Sequence, residues 1–197
     1  MMKLKKYQMF IDGEWLDSDT KKTFKTLNPE NNEPWAEVPE ASTKDVDKAV
    51  KAAQKAFEGK WSSLFPKERA KYLKAIANEL RDNSELLGKI ETIDTGKLYK
   101  ETKTQANYIA EYYDYYAGLA DKVEGTVLPI DKPNMQVITT RVPIGVVAAI
   151  IPWNSQMLLT AVKLAPALAM GNTVVIKSSE LAPATLFEFG KLIEKTG

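Results

Sequence analysis

A chain of 197 residues suits one large domain or two small ones and is ample for a buried core. Its 27 basic and 26 acidic residues leave a formal net charge of +1, so no basic excess points to nucleic acid or to an anionic membrane surface. Cysteine and histidine are both absent, which removes disulfides, thiolate catalysis, imidazole acid–base work and nearly every zinc site; no metal is expected.

The opening MMKLKKYQMF is basic, but no apolar signal core follows it. Export is therefore not expected, and a cytoplasmic location is. Gln8 to Pro29 alternates apolar and polar residues around Asp12-Gly13, a hairpin signal, and Asn28-Pro29 with the following ENNEP marks turns. Ser42 then starts a helix, with Asp45 at the capping-box position three residues on. Val46, Ala49, Val50, Ala53 and Phe57 form its apolar stripe. Pro66 suits the first turn of a second helix, striped by Tyr72, Leu73, Ile76, Ala77 and Leu80. A shorter helix follows and stops near Gly96.

Ala106, Ile109, Tyr113, Tyr116 and Ala120 lie along one face of the next helix. Its tyrosine cluster resembles a base-stacking platform, but basic interleaving is sparse, and a packed amphipathic helix is the favoured reading. TVLPI and MQVITTRV, split by DKPN, predict a long two-stranded ribbon, which needs to be covered to persist. From Gly145 the pattern changes. GVVAAII is β-branched and apolar on both faces, as in a buried parallel strand, and it is far too short to span a membrane. A helix ending at Gly171-Asn172, the strand TVVIK and a helix with Pro183 in its first turn complete a βαβα unit of a doubly wound α/β sheet.

Ligands of open α/β sheets bind outside the carboxyl ends of the strands. The first end here is Ile150-Ile151-Pro152-Trp153-Asn154, and the second runs from Ile176 through Lys177 to Glu180. The amide of Asn154 is the kind of donor that stabilises a developing oxyanion, yet asparagine is also a good helix N-cap. Lys177 and Glu180 could donate to and accept from ribose hydroxyls, or form an ion-paired, solvated loop. No G-x-G-x-x-G follows the first strand, so the common dinucleotide fingerprint is missing.

The stretch Val142–Pro183, with P-W-N, K-x-A-P-A-L-A-x-G-N and T-V-V-x-K-x-S-E in order, resembles the N-terminal part of the cofactor domain of aldehyde dehydrogenases. Weaker likenesses, FIDGEW, the Asn28-Pro29 turn and ETIDTGK at Glu91–Lys97, extend the resemblance over nearly the whole chain. It implies an α/β fold: hairpin and helical part of the cofactor domain over 1–122, a β-ribbon oligomerisation arm over 123–142, and the first half of a Rossmann-like sheet over 143–197. It implies NAD as cofactor, with NADP disfavoured by Glu180, a small aldehyde as substrate and a homo-oligomer joined through the ribbon. Asn154 then matches the family's oxyanion-hole amide. Lys177 and Glu180 match residues that hold the adenosine ribose, and Ile150, Ile151, Pro152 and Trp153 match the cofactor-side wall. Many members carry proline where this chain has Ser178. The family's nucleophilic cysteine and water-activating glutamate come from segments downstream of anything matched here. The chain alone is therefore expected to be inactive, and a non-catalytic nucleotide-binding or subunit-interaction fragment stands as the alternative.

Overall fold

Asp12 and Gly13 both take positive φ (54° and 80°), as the two-residue type I′ turn requires. They close a hairpin of β2 (Met9–Ile11) on β3 (Glu14–Leu16), preceded by the short β1 (Lys5–Lys6). The computed structural model describes residues 4–197; Met1–Lys3, where the basic opening begins, lie outside them. Phe10 packs on Trp15 with ring centres 4.9 Å apart. A second antiparallel pair, β4 (Thr23–Asn28) with β5 (Glu33–Pro39), turns at the expected Pro29–Asn32, and β1 joins β5 in parallel. The periodicity does not foreshadow β5, because Pro34 and Pro39 read as breakers. Both fall near its ends, where a missing N–H is tolerated.

Helix α1 (Thr43–Glu58) starts as predicted, with a complete capping box between Ser42 and Asp45. Its apolar stripe is not buried as a whole: Val46 and Val50 are exposed. The strands β8 and β9 meet its C-terminal half, where Thr173 Oγ1 donates to the Ala53 carbonyl (2.9 Å) and Gly145 approaches Phe57, while Ser18 and Asp19 cover its first turn at Asp45. After the single turn α2 (Lys60–Ser63), three helices build the core: α3 (Pro66–Asp82), α4 (Ser84–Thr95) and α5 (Tyr99–Leu119). Leu73, Ile76, Ala77 and Leu80 of α3 meet Ile109, Ala110, Tyr113 and Ala117 of α5 in one cluster. α4 crosses α5 so closely that a Cβ on Gly88 would lie 2.8 Å from the Lys103 backbone. The tyrosines of α5 divide accordingly: Tyr113 is buried in the core, while Tyr108 and Tyr115 face out.

The ribbon is shorter than the sequence predicts. Only Val127–Leu128 (β6) and Val137–Ile138 (β7) pair. Pro129 removes a ladder donor just beyond β6, and Val127 and Ile138 are exposed, so nothing beneath the ribbon extends it. Then β8 (Val146–Ile150), α6 (Gln156–Ala169), β9 (Thr173–Lys177) and α7 (Ala184–Lys195) form the expected βαβα unit, with β8 and β9 parallel and Ile150 opposite Lys177. Ala149 and Ile176 turn toward α6 and the core. The other face is only partly covered: Thr173 meets α1, but Ala148 is exposed and Ile150 is 70% exposed. The expectation of a strand buried on both faces therefore fails at its carboxyl end, which α1 does not reach. Among the described residues no helix is long and apolar enough to cross a membrane.

Candidate functional site

The carboxyl ends of β8 and β9 stand side by side. The ladder continues one residue further, with Ile151 N–H donating to the Lys177 carbonyl at 3.0 Å. The side chain of Ile151 turns into the core, and from there the chain emerges. Pro152 and Asn154 are exposed, and Trp153 is 52% exposed. Helix α6 begins at Gln156, so the N-cap position belongs to Ser155 rather than Asn154. The capping reading of Asn154 is thus corrected: its side-chain amide makes no hydrogen bond among the described residues and faces solvent at the sheet edge.

Ser155 does not cap by the usual route either. Its backbone sits at φ −162°, ψ 64°, and its side chain takes no amide from the first turn of α6. Lys97 Nζ donates to the Ser155 hydroxyl instead, at 2.6 Å. Lys97 follows Gly96, whose φ of 76° ends α4 in a left-handed turn that only glycine adopts at little cost. The same ammonium lies 3.6 Å from the buried carboxylate of Glu91, one turn back on α4. Burial raises the Glu91 pKa above its ordinary value, and Lys97 opposes the rise. Sequence reasoning missed this pair as part of the site. Its signal was the ETIDTGK segment, in which a lysine follows a helix-ending glycine.

At the β9 end, Lys177 Nζ donates to Glu180 Oε2 at 2.8 Å, and both side chains are largely exposed. That bond, with the lysine's charge behind it, holds the Glu180 carboxyl below its ordinary pKa, so it is anionic near neutrality. The intervening loop is tied by its serines: Ser179 Oγ accepts from Leu181 N (3.2 Å), and Ser178 Oγ donates to the Pro183 carbonyl (3.4 Å). Beyond it, Asp94 of α4 accepts from Ala184 N (2.7 Å) and Thr26 Oγ1 (2.9 Å), pinning the start of α7 to β4. Burial pushes Asp94 up to about 6 despite those bonds. The structure therefore brings Asn154, Lys177 and Glu180 to one exposed edge without joining Asn154 to the other two. Two surface grooves, one lined by Tyr7, Trp15 and Lys195 and one by Tyr108, Tyr112 and Tyr115, lie elsewhere.

Residues 15–197 match the aldehyde dehydrogenase family. The chain is 50% identical over 195 residues to (Z)-2-((N-methylformamido)methylene)-5-hydroxybutyrolactone dehydrogenase of Acinetobacter baylyi, covering 98% of this chain and 40% of that protein. Its fold is similar to betaine aldehyde dehydrogenase of Staphylococcus aureus solved with NAD+, with a TM-score of 0.92, 38% identity, and 96% and 38% of the two chains covered. It is also similar to a 3,6-anhydro-L-galactose dehydrogenase solved with NADP, with a TM-score of 0.93, 30% identity, and 98% and 40% covered. The chain thus spans about 40% of the length of these three relatives.

Proposed function

This chain belongs to the aldehyde dehydrogenase family, and on that premise we propose that it carries the cofactor-side portion of an NAD(P)-dependent enzyme that oxidises an aldehyde to a carboxylic acid. The observation that carries the reading is the pair of adjacent parallel strand ends, with an unengaged amide on one and a donor–acceptor pair on the other.

The residues present fit a dinucleotide. Lys177 offers a donor and Glu180 an acceptor 2.8 Å apart, matched to the two neighbouring hydroxyls of a ribose. Ile150 and Trp153 expose apolar surface beside them, with Pro152 between, and a planar base or nicotinamide would cover that surface. Ile151 contributes from below by holding the strand end in register. The nicotinamide, when bound, supplies the hydride acceptor. Asn154 then donates its amide N–H to the aldehyde oxygen as negative charge develops there, which is worth most when the donor is held in place beforehand.

Because Glu180 is held anionic, a 2′-phosphate at this position would meet a like charge, and NAD is the preferred cofactor. We assign 1–122 to the hairpin and helical part of the cofactor domain and 143–197 to the Rossmann-like half-sheet. The arm over 123–142 joins subunits through the exposed Val127, Leu128 and Ile138. We propose a cytoplasmic site of action; the sequence holds no cysteine. The same lack of a thiol leaves residues 1–197 alone without the family's nucleophile.

The test joins residues 1–197 to the unmatched remainder of the Acinetobacter relative and measures dissociation constants for NAD and NADP. NAD should bind more tightly, and Glu180→Ser should narrow the gap. Equal or tighter NADP binding, or a preference unmoved by Glu180→Ser, overturns the assignment.

A further inference from the structure

The turn that presents Asn154 is built at the expense of stability in four respects. Ser155, in the N-cap position, leaves the amides of the first α6 turn without its hydroxyl, although serine is among the best capping residues. The group that occupies that hydroxyl is an ammonium, which stands at the positive end of the α6 dipole, the unfavourable end for a cation. The ammonium is in turn held by Glu91, a buried carboxylate at 3.6 Å, an ion pair too long to be a hydrogen bond. Next to Ser155, the Gln156 amide is fully buried with neither of its polar atoms partnered. Folding alone would be served better by apolar residues at positions 91 and 97 together and an ordinary cap at Ser155.

What these features share is a fixed location for Ser155, the residue after Asn154. The anchor is stiff. α4 is pressed against α5 at Gly88, and its last turn is closed by Gly96 against Pro29. From that end Lys97 reaches across to a residue 58 positions away in the chain. Asn154 is exposed and its side chain makes no hydrogen bond among the described residues, so the direction of its amide follows from the turn that carries it.

We propose that Lys97 is a positioning residue for Asn154: the Glu91–Lys97 pair clamps the hydroxyl of Ser155 and thereby fixes the turn 152–155 on which the amide is presented. The proposal rests on the reading of Asn154 as the oxyanion donor. The clamp itself does not, and the two are tested separately.

The clamp is read on the 197-residue chain by hydrogen exchange. The Leu159 amide donates to the Ser155 carbonyl at 2.9 Å, so its protection reports whether Ser155 stays in place. Lys97→Met should speed exchange at Leu159 about tenfold while Ala165 and Ala169, deeper in α6, keep their protection. Ser155→Ala should do the same, and Lys97→Arg should restore most of the protection. Unchanged Leu159 exchange in both Lys97→Met and Ser155→Ala overturns the clamp. A uniform rise along all of α6 also overturns it, because Lys97 would then serve general stability.

In the joined enzyme described above, Lys97→Met should lower kcat by ~10–100-fold, as a slight misplacement of a catalytic group does, with NAD affinity unmoved. On an Asn154→Ala background it should cost nothing further. Additive losses overturn action through Asn154. If Asn154→Ala by itself leaves kcat intact, the oxyanion reading falls, while the Leu159 exchange still decides the clamp.

Discussion

Asp45 receives more hydrogen bonds than a capping residue needs. Ser42 donates to it twice, from N and Oγ, both at 2.8 Å. Ser18 Oγ adds a bond at 3.1 Å, and Asp19 N another at 3.1 Å, from a loop 26 residues earlier in the chain. Burial pushes its pKa upward, but the four donors outweigh it and hold the carboxyl at about 2, against 3.8 for a free side chain. A folded-state pKa below the unfolded one contributes stability that is complete above pH ~4 and lost as pH falls through ~2. The difference of nearly two units corresponds to about 2.5 kcal/mol, roughly half of it remaining near pH 3. Asp45→Asn keeps the shape but turns an N–H₂ toward the backbone N–H of Ser42 or of Asp19, neither of which can accept. It should therefore cost about 2–3 kcal/mol at pH 7, or a fall in Tm of about 5–10 °C for a chain of this size. Urea unfolding of both proteins at pH 7 and pH 3 measures it, and the gap should shrink by about half at the lower pH. An equal gap at both pH values would mean that the loss comes from shape rather than charge, and the argument would be refuted.

Asn154→Ala should leave stability within about 0.5 kcal/mol, since the side chain is exposed and caps nothing, yet cut kcat of the joined enzyme by ~10²–10³-fold. A loss of about 1 kcal/mol with full turnover would restore the capping role. Gly88→Ala should destabilise, because a Cβ 2.8 Å from the Lys103 backbone forces α4 and α5 apart. We expect about 1–3 kcal/mol of strain against about 1 kcal/mol gained in helix propensity, read from the urea midpoint. Residues 1–197 alone should produce no NADH from NAD and any aldehyde; turnover abolished by Asn154→Ala would show otherwise. The same chain should associate as its concentration rises, covering the open edges of β8 and β9 and the bare ribbon. Sedimentation velocity showing a monomer at every soluble concentration would count against this.

Signals with a short physical range were legible in the sequence. Asp12-Gly13 announces its hairpin because both positions need positive φ, and Ser42 with Asp45 announces α1 because three residues separate a cap from its reciprocal partner. Gly96 ends α4, and Gly171 with φ of 85° ends α6, for the same local reason. The β-branched runs Val146–Ile151 and Thr173–Ile176, with a helix between, suffice for a parallel pair and thus for two strand ends at one edge. Asn154, Lys177 and Glu180 could therefore be assigned to that edge from their order in the chain.

Everything that depends on how one element docks on another was decided by the tertiary structure. Periodicity says which face of α1 is apolar, but not that β8 and β9 meet it at Ala53 and Phe57 and leave Val46 and Val50 exposed. Asparagine at position 154 is as good a cap as a donor by local rules. The helix starts at Gln156, which puts Ser155 in the cap position, and the hydroxyl of Ser155 is engaged by Lys97 rather than by the first turn. A lysine after a helix-ending glycine has no preferred partner in sequence. Its ammonium, on a flexible four-carbon stem, reaches Glu91 and Ser155 only because α4 is locked against α5 with its last turn aimed at the start of α6.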